Sequence, residues 1–376
     1  MRLVELRLQD WRNVSQARID TDARFVVLAG ENAQGKTNIL ESAWVLATLR
    51  SFREGRVARL VRHGADAASV TGTVLGRSGR RRMEWRRDAA GRRSLALDEQ
   101  GCHDLSAWFQ VLRAVLFCPE HIAVVRGEPG ERRRFVDRAA FTATPAHLET
   151  VMAYRRALKQ KAASLKLPRV DPALVSTFDV QLIEHGARLA RRRVEVLAEL
   201  EGPFGDMHAA IAGGGEVRLA MRGVGGAAHD GEEAARAAIA AELERVRADE
   251  LRRRRVLAGP HRDDLDIRLD GRSARAFASQ GQARSIVLSL KLAELEAARR
   301  RGDAPLFLLD DLTSELDRGR MERLVDLLAG LPNQVWITTT DPAHLGPLPP
   351  GGTRVVRVRS GSVEGARGVA DGGLSG

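Results

Sequence analysis

Residues Gly30, Glu31, Asn32, Ala33, Gln34, Gly35, Lys36 and Thr37 satisfy the spacing G-x-x-x-x-G-K-[ST]. A run of this kind turns backbone N–H groups and the start of the next helix toward phosphate oxygens. Lys36 reaches the β- and γ-phosphates, and Thr37 is placed to ligate Mg²⁺. The metal also needs an acid, and none in a suitable setting follows within the next hundred residues. It comes in "APLFLLDDLTSELD", where Leu306 to Leu309 read as a fully buried strand and Asp310 stands at its C-terminal end, placed to hold Mg²⁺ through water. Asp311 is then the candidate base that orients an attacking water. The alternative for the same two acids is a helix N-terminus whose dipole favours negative charge.

Thr37 and Asp310 are 273 positions apart, so a long segment is inserted between two halves of one site. Thirty-one positions before Asp310 stands "SQGQARS", in which Ser279, Gln280, Gly281 and Gln282 open a helix. A serine hydroxyl at a helix start forms a second anion site. Because the first loop already saturates its own nucleotide, the second points to the ATP of a partner copy.

The elements that must position these residues are legible as periodicities. "RLVELRLQ" alternates with period two, "RFVVLAG" is a short buried strand, and "KTNILESAWVLATL" has helical spacing, so the glycine-rich loop lies between strand and helix. Residues 70 to 98 read as hairpins turning at Gly72, Gly76, Gly79 and Gly91. They carry the cluster Arg80, Arg81, Arg82, Arg86, Arg87, Arg92 and Arg93, either a DNA contact or a solvated sheet edge. Beyond Pro129 one helix places Leu148, Val151, Met152, Leu158, Ala162 and Leu165 on a single face, and a second does so with Phe178, Leu182, Leu189, Val194 and Leu197. A third is predicted from Glu232 to Arg254, after a Gly-rich, partly strand-like linker. Strand pattern returns with an Asp270-Gly271 hairpin, followed by helices from Arg284 to Arg300 and Arg318 to Leu328 and the strand "QVWITTT". The expected fold is α/β: a P-loop ATPase head in residues 1–125 and 251–360, an inserted helical arm in 126–250, and a disordered Gly-rich tail in 361–376.

The chain has 376 residues, and 60 Lys and Arg against 49 Asp and Glu give a formal charge of +11 and a pI near 10.8. A polyanionic partner, nucleic acid above all, is one reading of that balance. Compositional drift is the other, since only five of the basic residues are lysines. Cys102 and Cys118, with His103, reach neither a disulfide framework nor a zinc ligand set. No run approaches the length of an apolar membrane span, and charges interrupt the start "MRLVELRLQD", so a cytoplasmic protein without membrane attachment is expected.

Taken together, these residues make the chain resemble the RecF family of bacterial recombination-repair proteins, part of the ABC-type ATPase superfamily that also includes SMC heads. The likeness rests on "DWRNV" (10–14), the P-loop with "TNILE" after it, "RSFR" (50–53), "FCPEHIAVVRGEPGERRRFVD" (117–137), "YRRALKQK" (154–161), "GPHRDDL" (259–265), "SQGQ" (279–282) and "LLDDLTSELD" (308–317). The resemblance implies a head with a mixed, largely parallel sheet and an inserted helical arm. Two heads would close on ATP and Mg²⁺, with Ser279, Gly281 and Gln282 of one completing the site of the other. Nucleotide contacts would include Arg12 and the loop through Asn38, and Ser314 to Asp317 would be the D-loop. It further implies slow, DNA-dependent ATP hydrolysis with Lys36 and Asp311 as catalytic groups. The implied partners are single-stranded and duplex DNA at gap junctions, a second copy of the chain, and RecO and RecR in placing RecA on single strands.

Two departures stand out. Ala33 occupies a position where the family usually has Gly, and "FCPEH" lacks the glutamine of an ABC-type Q-loop, leaving Glu120 as a substitute. Thr338 to Thr340 stand at the switch segment, where transporters commonly use His. An ABC transporter subunit predicts a short helical subdomain, against this long insertion. An SMC-like tether needs long heptads, which these interrupted helices lack.

Overall fold

The computed structural model describes residues 1–53, 57–312, 316–349 and 352–364. In chain order the strands are β1 (Arg2–Trp11), β2 (Val14–Asp20), β3 (Phe25–Ala29), β4 (Ala67–Gly76), β5 (Gly79–Asp88), β6 (Arg93–Leu97), β7 (Gln100–Gly101), β8 (Ala114–Phe117), β9 (Val217–Arg222), β10 (Asp264–Leu269), β11 (Arg272–Ser273), β12 (Leu306–Leu309), β13 (Val335–Thr339), β14 (Thr353–Arg359) and β15 (Ser362–Glu364). The described helices of eight or more residues are α1 (Lys36–Thr48), α2 (Pro129–Ala143), α3 (His147–Ser164), α4 (Pro172–Ala212), α5 (Glu232–Arg253), α6 (Gln280–Arg300) and α7 (Arg318–Gly330).

The chain divides into two units, Met1–Pro119 with Ala298–Gly376, and Glu120–Ala297. The division falls at 119/120 and 297/298, where 125/126 and 250/251 were expected. Pairing explains the second shift: β10 lies antiparallel to β9 from Val217↔Leu269 to Arg222↔Asp264, so the segment after residue 250 is built into the helical unit.

The first unit contains the mixed sheet in the order β15-β14-β3-β13-β12-β8, parallel throughout except for β15. Its central strands, "FVVLA", "VWITT" and "LFLL", are buried at every position, as strands covered on both faces must be. A second, antiparallel sheet runs β2-β1-β4-β5-β6-β7. Its strands are half-buried and alternate, which is why they show period two in the sequence where the central strands of the mixed sheet do not. Gly72 is not at a turn. It lies inside β4, where a Cβ would sit 2.6 Å from Leu46 Cδ1, so the glycine lets α1 pack close on the sheet. The buried amide of Gln334, at the start of β13, joins the two sheets. Its Oε1 accepts from Leu3 N (2.8 Å), and its Nε2 donates to Leu3 O (3.2 Å) and Ala23 O (3.0 Å).

The helical unit holds α2 to α5, most of α6 and the small sheet β11-β10-β9. Helix α4 runs 41 residues, past the expected end near Leu200, with Pro203 inside it. Proline there removes one backbone hydrogen bond but does not end the helix, because its ring is buried against the core. The buried stripe of α3 is Val151, Tyr154, Ala157 and Lys161, whereas Met152, expected on that face, is 50% exposed. A buried lysine on the core face turned the stripe away from the purely apolar reading. Arg193 forks onto Asp137, Nε to Oδ1 at 2.8 Å and Nη2 to Oδ2 at 3.0 Å. Although burial opposes it, that guanidinium and His147 hold the Asp137 carboxyl well below the usual carboxylate range. In the basic run Arg132 to Arg134, Arg132 is 3% exposed and bidentate to Asp264 (2.6 and 2.8 Å), Arg133 donates to Asp263 O (2.6 Å), and Arg134 is exposed and pairs with Glu131. Arg132 is thus internal structure rather than a DNA-facing surface.

Candidate nucleotide-binding site

Strand β3 ends at Ala29 and α1 begins at Lys36, with Gly35 as its left-handed N-cap. The loop between them is the P-loop. Ala33 adopts φ 63°, so the position where glycine is usual does carry the strain of a side chain in the left-handed region. Glu31 and Asn32 are exposed at the rim. Lys36 is 8% exposed and folds back over the loop, donating from Nζ to Gly30 O (2.6 Å) and Glu31 O (2.7 Å). Burial lowers its pKa, and the charges of Asp311 and Asp310 oppose that shift, as an anion bound beside it would also do.

The two halves of the site meet in one hydrogen-bonded chain. Thr37 Oγ1 donates to Asp310 Oδ1 (2.8 Å), Thr338 Oγ1 donates to the same oxygen (2.9 Å), and Asp311 N donates to Thr338 Oγ1 (2.8 Å). Strand order makes this possible: β13 lies between β3 and β12, so its C-terminal end sits between the P-loop and the paired acids. Thr338, 1% exposed, therefore links the acids to the last strand, while Thr339 turns its hydroxyl to Asp341 O (2.9 Å) and ends that strand. Asp311 is exposed and adopts φ 49°, in the left-handed region.

Thr37 and Asp310 offer two hard oxygens 2.8 Å apart, a separation that neighbouring ligands of a small octahedral dication with bonds of about 2.1 Å accommodate. Mg²⁺ therefore fits this donor pair, with phosphate and water oxygens completing the shell.

Beside the start of α1 opens a cavity of about 650 Å³ lined by Arg12, Asn13, Asn38, Arg53, Arg62 and His63, among others. Asn38 Nδ2 donates to Asn13 Oδ1 (2.7 Å), and Arg53 Nη1 donates to Asn38 Oδ1 (3.2 Å). Arg12 reaches the cavity, but its guanidinium is gripped by the fully buried Glu41, Nε to Oε2 at 2.9 Å and Nη2 to Oε1 at 2.7 Å. Nη1, 3.5 Å from Arg59 O, is the nitrogen that a phosphate in the cavity would meet.

Other expected residues lie elsewhere or are engaged. Asp317 caps α7, accepting from Arg320 N (3.0 Å), and residues 313–315 of the expected D-loop, Ser314 among them, lie outside the described residues. Glu120 is exposed at the start of the helical unit. In that unit Ser279 and Gln282 cap each other. Ser279 N donates to Gln282 Oε1 (2.8 Å), and Gln282 N donates to Ser279 Oγ (3.2 Å), with Gly281 between them in the first turn of α6. This is a capping box, and its S-x-x-Q spacing was visible in the sequence; it also starts α6 at Gln280, four residues before the expected Arg284. Gln282→Ala, which removes one half of the box, is expected to cost about 0.5–2 kcal/mol, seen as a fall in the melting temperature of the helical unit.

The RecF/RecN/SMC N-terminal domain family matches residues 2–350. The DNA replication and repair protein RecF of Anaeromyxobacter sp. (strain Fw109-5) is 41% identical over 370 residues, covering 96% of this chain and 99% of that protein. This chain belongs to the RecF family. RecF of Geobacter sulfurreducens is 39% identical over 92% of the chain and 94% of its own length. The solved recombination mediator protein RecF with ATPrS, in the RecFOR pathway, superposes with a TM-score of 0.86 at 25% identity, covering 96% of this chain and 97% of that one. The form with ATP gives 0.85. An SMC head bound to the C-terminal winged-helix domain of ScpA, at 14% identity and a TM-score of 0.58, shares the fold with RecF. Among the described residues of this RecF-family chain no helix is long and apolar enough to cross a membrane.

Proposed function

We propose that the protein binds ATP with Mg²⁺, pairs face to face with a second copy in that state, binds DNA as the pair, and hydrolyses ATP slowly. Within recombinational repair, RecO and RecR would be its partners in placing RecA at single-stranded gaps. The observation that carries this reading is the hydrogen-bonded chain from Thr37 through Asp310 and Thr338 to Asp311, on a loop whose lysine is already folded over the phosphate position. Solved RecF relatives described with ATP and in the RecFOR pathway support it.

When bound, Mg²⁺ would neutralise charge between the β- and γ-phosphates. The chain does the rest. The loop N–H groups and Lys36 hold the phosphates, Thr37 and Asp310 present oxygens to the ion, and Asp311 orients a water and accepts its proton. Asp311 is one methylene shorter than glutamate, which shortens its reach to that water and keeps turnover below about 10 s⁻¹, the ordinary enzyme rate. The capping box at Ser279 would open onto the γ-phosphate of the partner copy. On the head, Arg80, Arg82 and Arg86 are exposed at alternate positions of β5, and with the charge of +11 they are the basic stripe best placed for a phosphate backbone.

Sedimentation tests the shared site. Wild type with ATP and DNA is expected to sediment as a dimer, and Lys36→Ala as a monomer. A wild-type protein that stays monomeric with ATP ends the proposal.

A further inference from the structure

The Gly-rich end of the chain was expected to be disordered from Gly361, yet β15 (Ser362–Glu364) pairs with β14, and the turn between them touches the P-loop. Gly361 N donates to Gln34 O (2.8 Å), and Ser360 N donates to Gln34 Oε1 (2.6 Å). Gln34 is the crest of the loop, so both of its oxygens are held from one side by the hairpin. Asn13 Nδ2 approaches Gln34 O from the β1–β2 turn (3.4 Å). The start of the loop is fixed by the same element, since a Cβ at Gly30 would collide with Val358 O of the buried β14. The turn itself is tightly specified. Ser360 has φ 46° and Gly361 has φ 77°, and a Cβ on Gly361 would collide with Asn13 O.

We infer that the β14–β15 hairpin positions the phosphate-binding loop, with Ser360 and Gly361 acting through Gln34. A glycine-rich loop left free must be ordered when phosphate arrives, and that ordering is subtracted from the binding free energy. Here the crest is ordered beforehand by two hydrogen bonds from residues more than 320 positions away. Nucleotide affinity therefore depends on a segment outside every nucleotide-binding motif of the chain. The inference rests on the reading that this loop holds ATP.

The test is calorimetric titration of the full-length protein with ATP and Mg²⁺, together with steady-state hydrolysis and a melting curve for each variant. Gly361→Ala, which drives the turn away from Asn13, and Gln34→Leu, which removes the acceptor for Ser360 N, should each raise the Kd for ATP about tenfold, the scale of one lost hydrogen bond. For Gly361→Ala, KM rises with kcat unchanged, and the strained turn lowers the melting temperature by no more than about 2–4 °C. Ser360→Gly keeps the N–H and suits the positive φ but removes the hydroxyl that also reaches Gln34 Oε1 (3.4 Å), so its Kd should rise less than that of Gln34→Leu. Equal Kd values for wild type, Gly361→Ala and Gln34→Leu overturn the positioning role while leaving ATP binding intact. Affinity losses accompanied by matching losses of melting temperature overturn it as well. A wild-type protein that does not bind ATP overturns both this inference and the reading beneath it.

Discussion

Asp311→Asn is expected to lower ATP turnover by a factor of about 10²–10⁴, the usual contribution of a positioned general base, while ATP affinity stays near wild type. The substitution isolates chemistry from structure. Asp311 sits at φ 49°, and asparagine tolerates the left-handed region as well as aspartate does, so the turn after β12 survives. Its backbone N–H keeps its bond to Thr338 Oγ1, and Asp310 keeps its bonds to Thr37 and Thr338. What disappears is the carboxylate that accepts the proton of water. Lys36→Ala behaves differently, because its ammonium meets the phosphates in the ground state: binding falls first and turnover with it. Single-turnover hydrolysis alongside ATP titration separates the two patterns. If Asp311→Asn turns over at the wild-type rate, the proton acceptor is another group and Asp311 belongs to the turn alone.

The parts of this site that were legible in the sequence are those whose signals are local. A glycine-rich loop between strand and helix can be read from eight residues, and an apolar strand ending in an acid from five, so Lys36, Thr37 and Asp310 could be joined across 273 positions. Thr338 was visible only as part of a threonine run at the end of a strand. Its function depends on β13 lying between β3 and β12, and sheet order is a property of distant chain segments. The hairpin that holds Gln34 was hidden for a different reason, because Gly361 to Glu364 resemble a flexible tail in composition and gain their order from pairing with β14.

Charge runs misled in the opposite direction. Arg132 and Arg133 look like part of a solvent-facing basic patch, but the partners that draw them inward, Asp264 and Asp263, are more than 120 residues later. The helical unit extends to Ala297 for the same kind of reason, a strand pairing between Val217–Arg222 and Asp264–Leu269 that no window of the sequence contains.

Lys161→Met is expected to destabilise the helical unit by about 3–5 kcal/mol, the cost of breaking a buried ion pair from one side. Lys161 on α3 is fully buried and pairs with Asp179 on α4 (2.6 Å) and with Glu250 on α5, so one ammonium ties three helices together. Glu250 is further committed by accepting from Leu257 N (2.7 Å). Methionine fills much of the lysine stem's volume but leaves two buried carboxylates without the ammonium, Asp179 keeping, among the described residues, only Arg247 at 3.6 Å. The molecule supplies its own means of locating the effect. All five tryptophans, Trp11, Trp44, Trp85, Trp108 and Trp336, lie in the first unit, whereas α3, α4 and α5 lie in the second. Lys161→Met should therefore lower the denaturant midpoint followed by helical circular dichroism much more than the one followed by tryptophan fluorescence. Adding Asp179→Leu and Glu250→Leu removes the stranded charges and should recover most of the loss, since an apolar triad of similar volume does not carry the desolvation penalty of the ionic one. Should the single variant unfold at the wild-type midpoint by both probes, the triad contributes no net stability and the three helices are held by their apolar contacts alone.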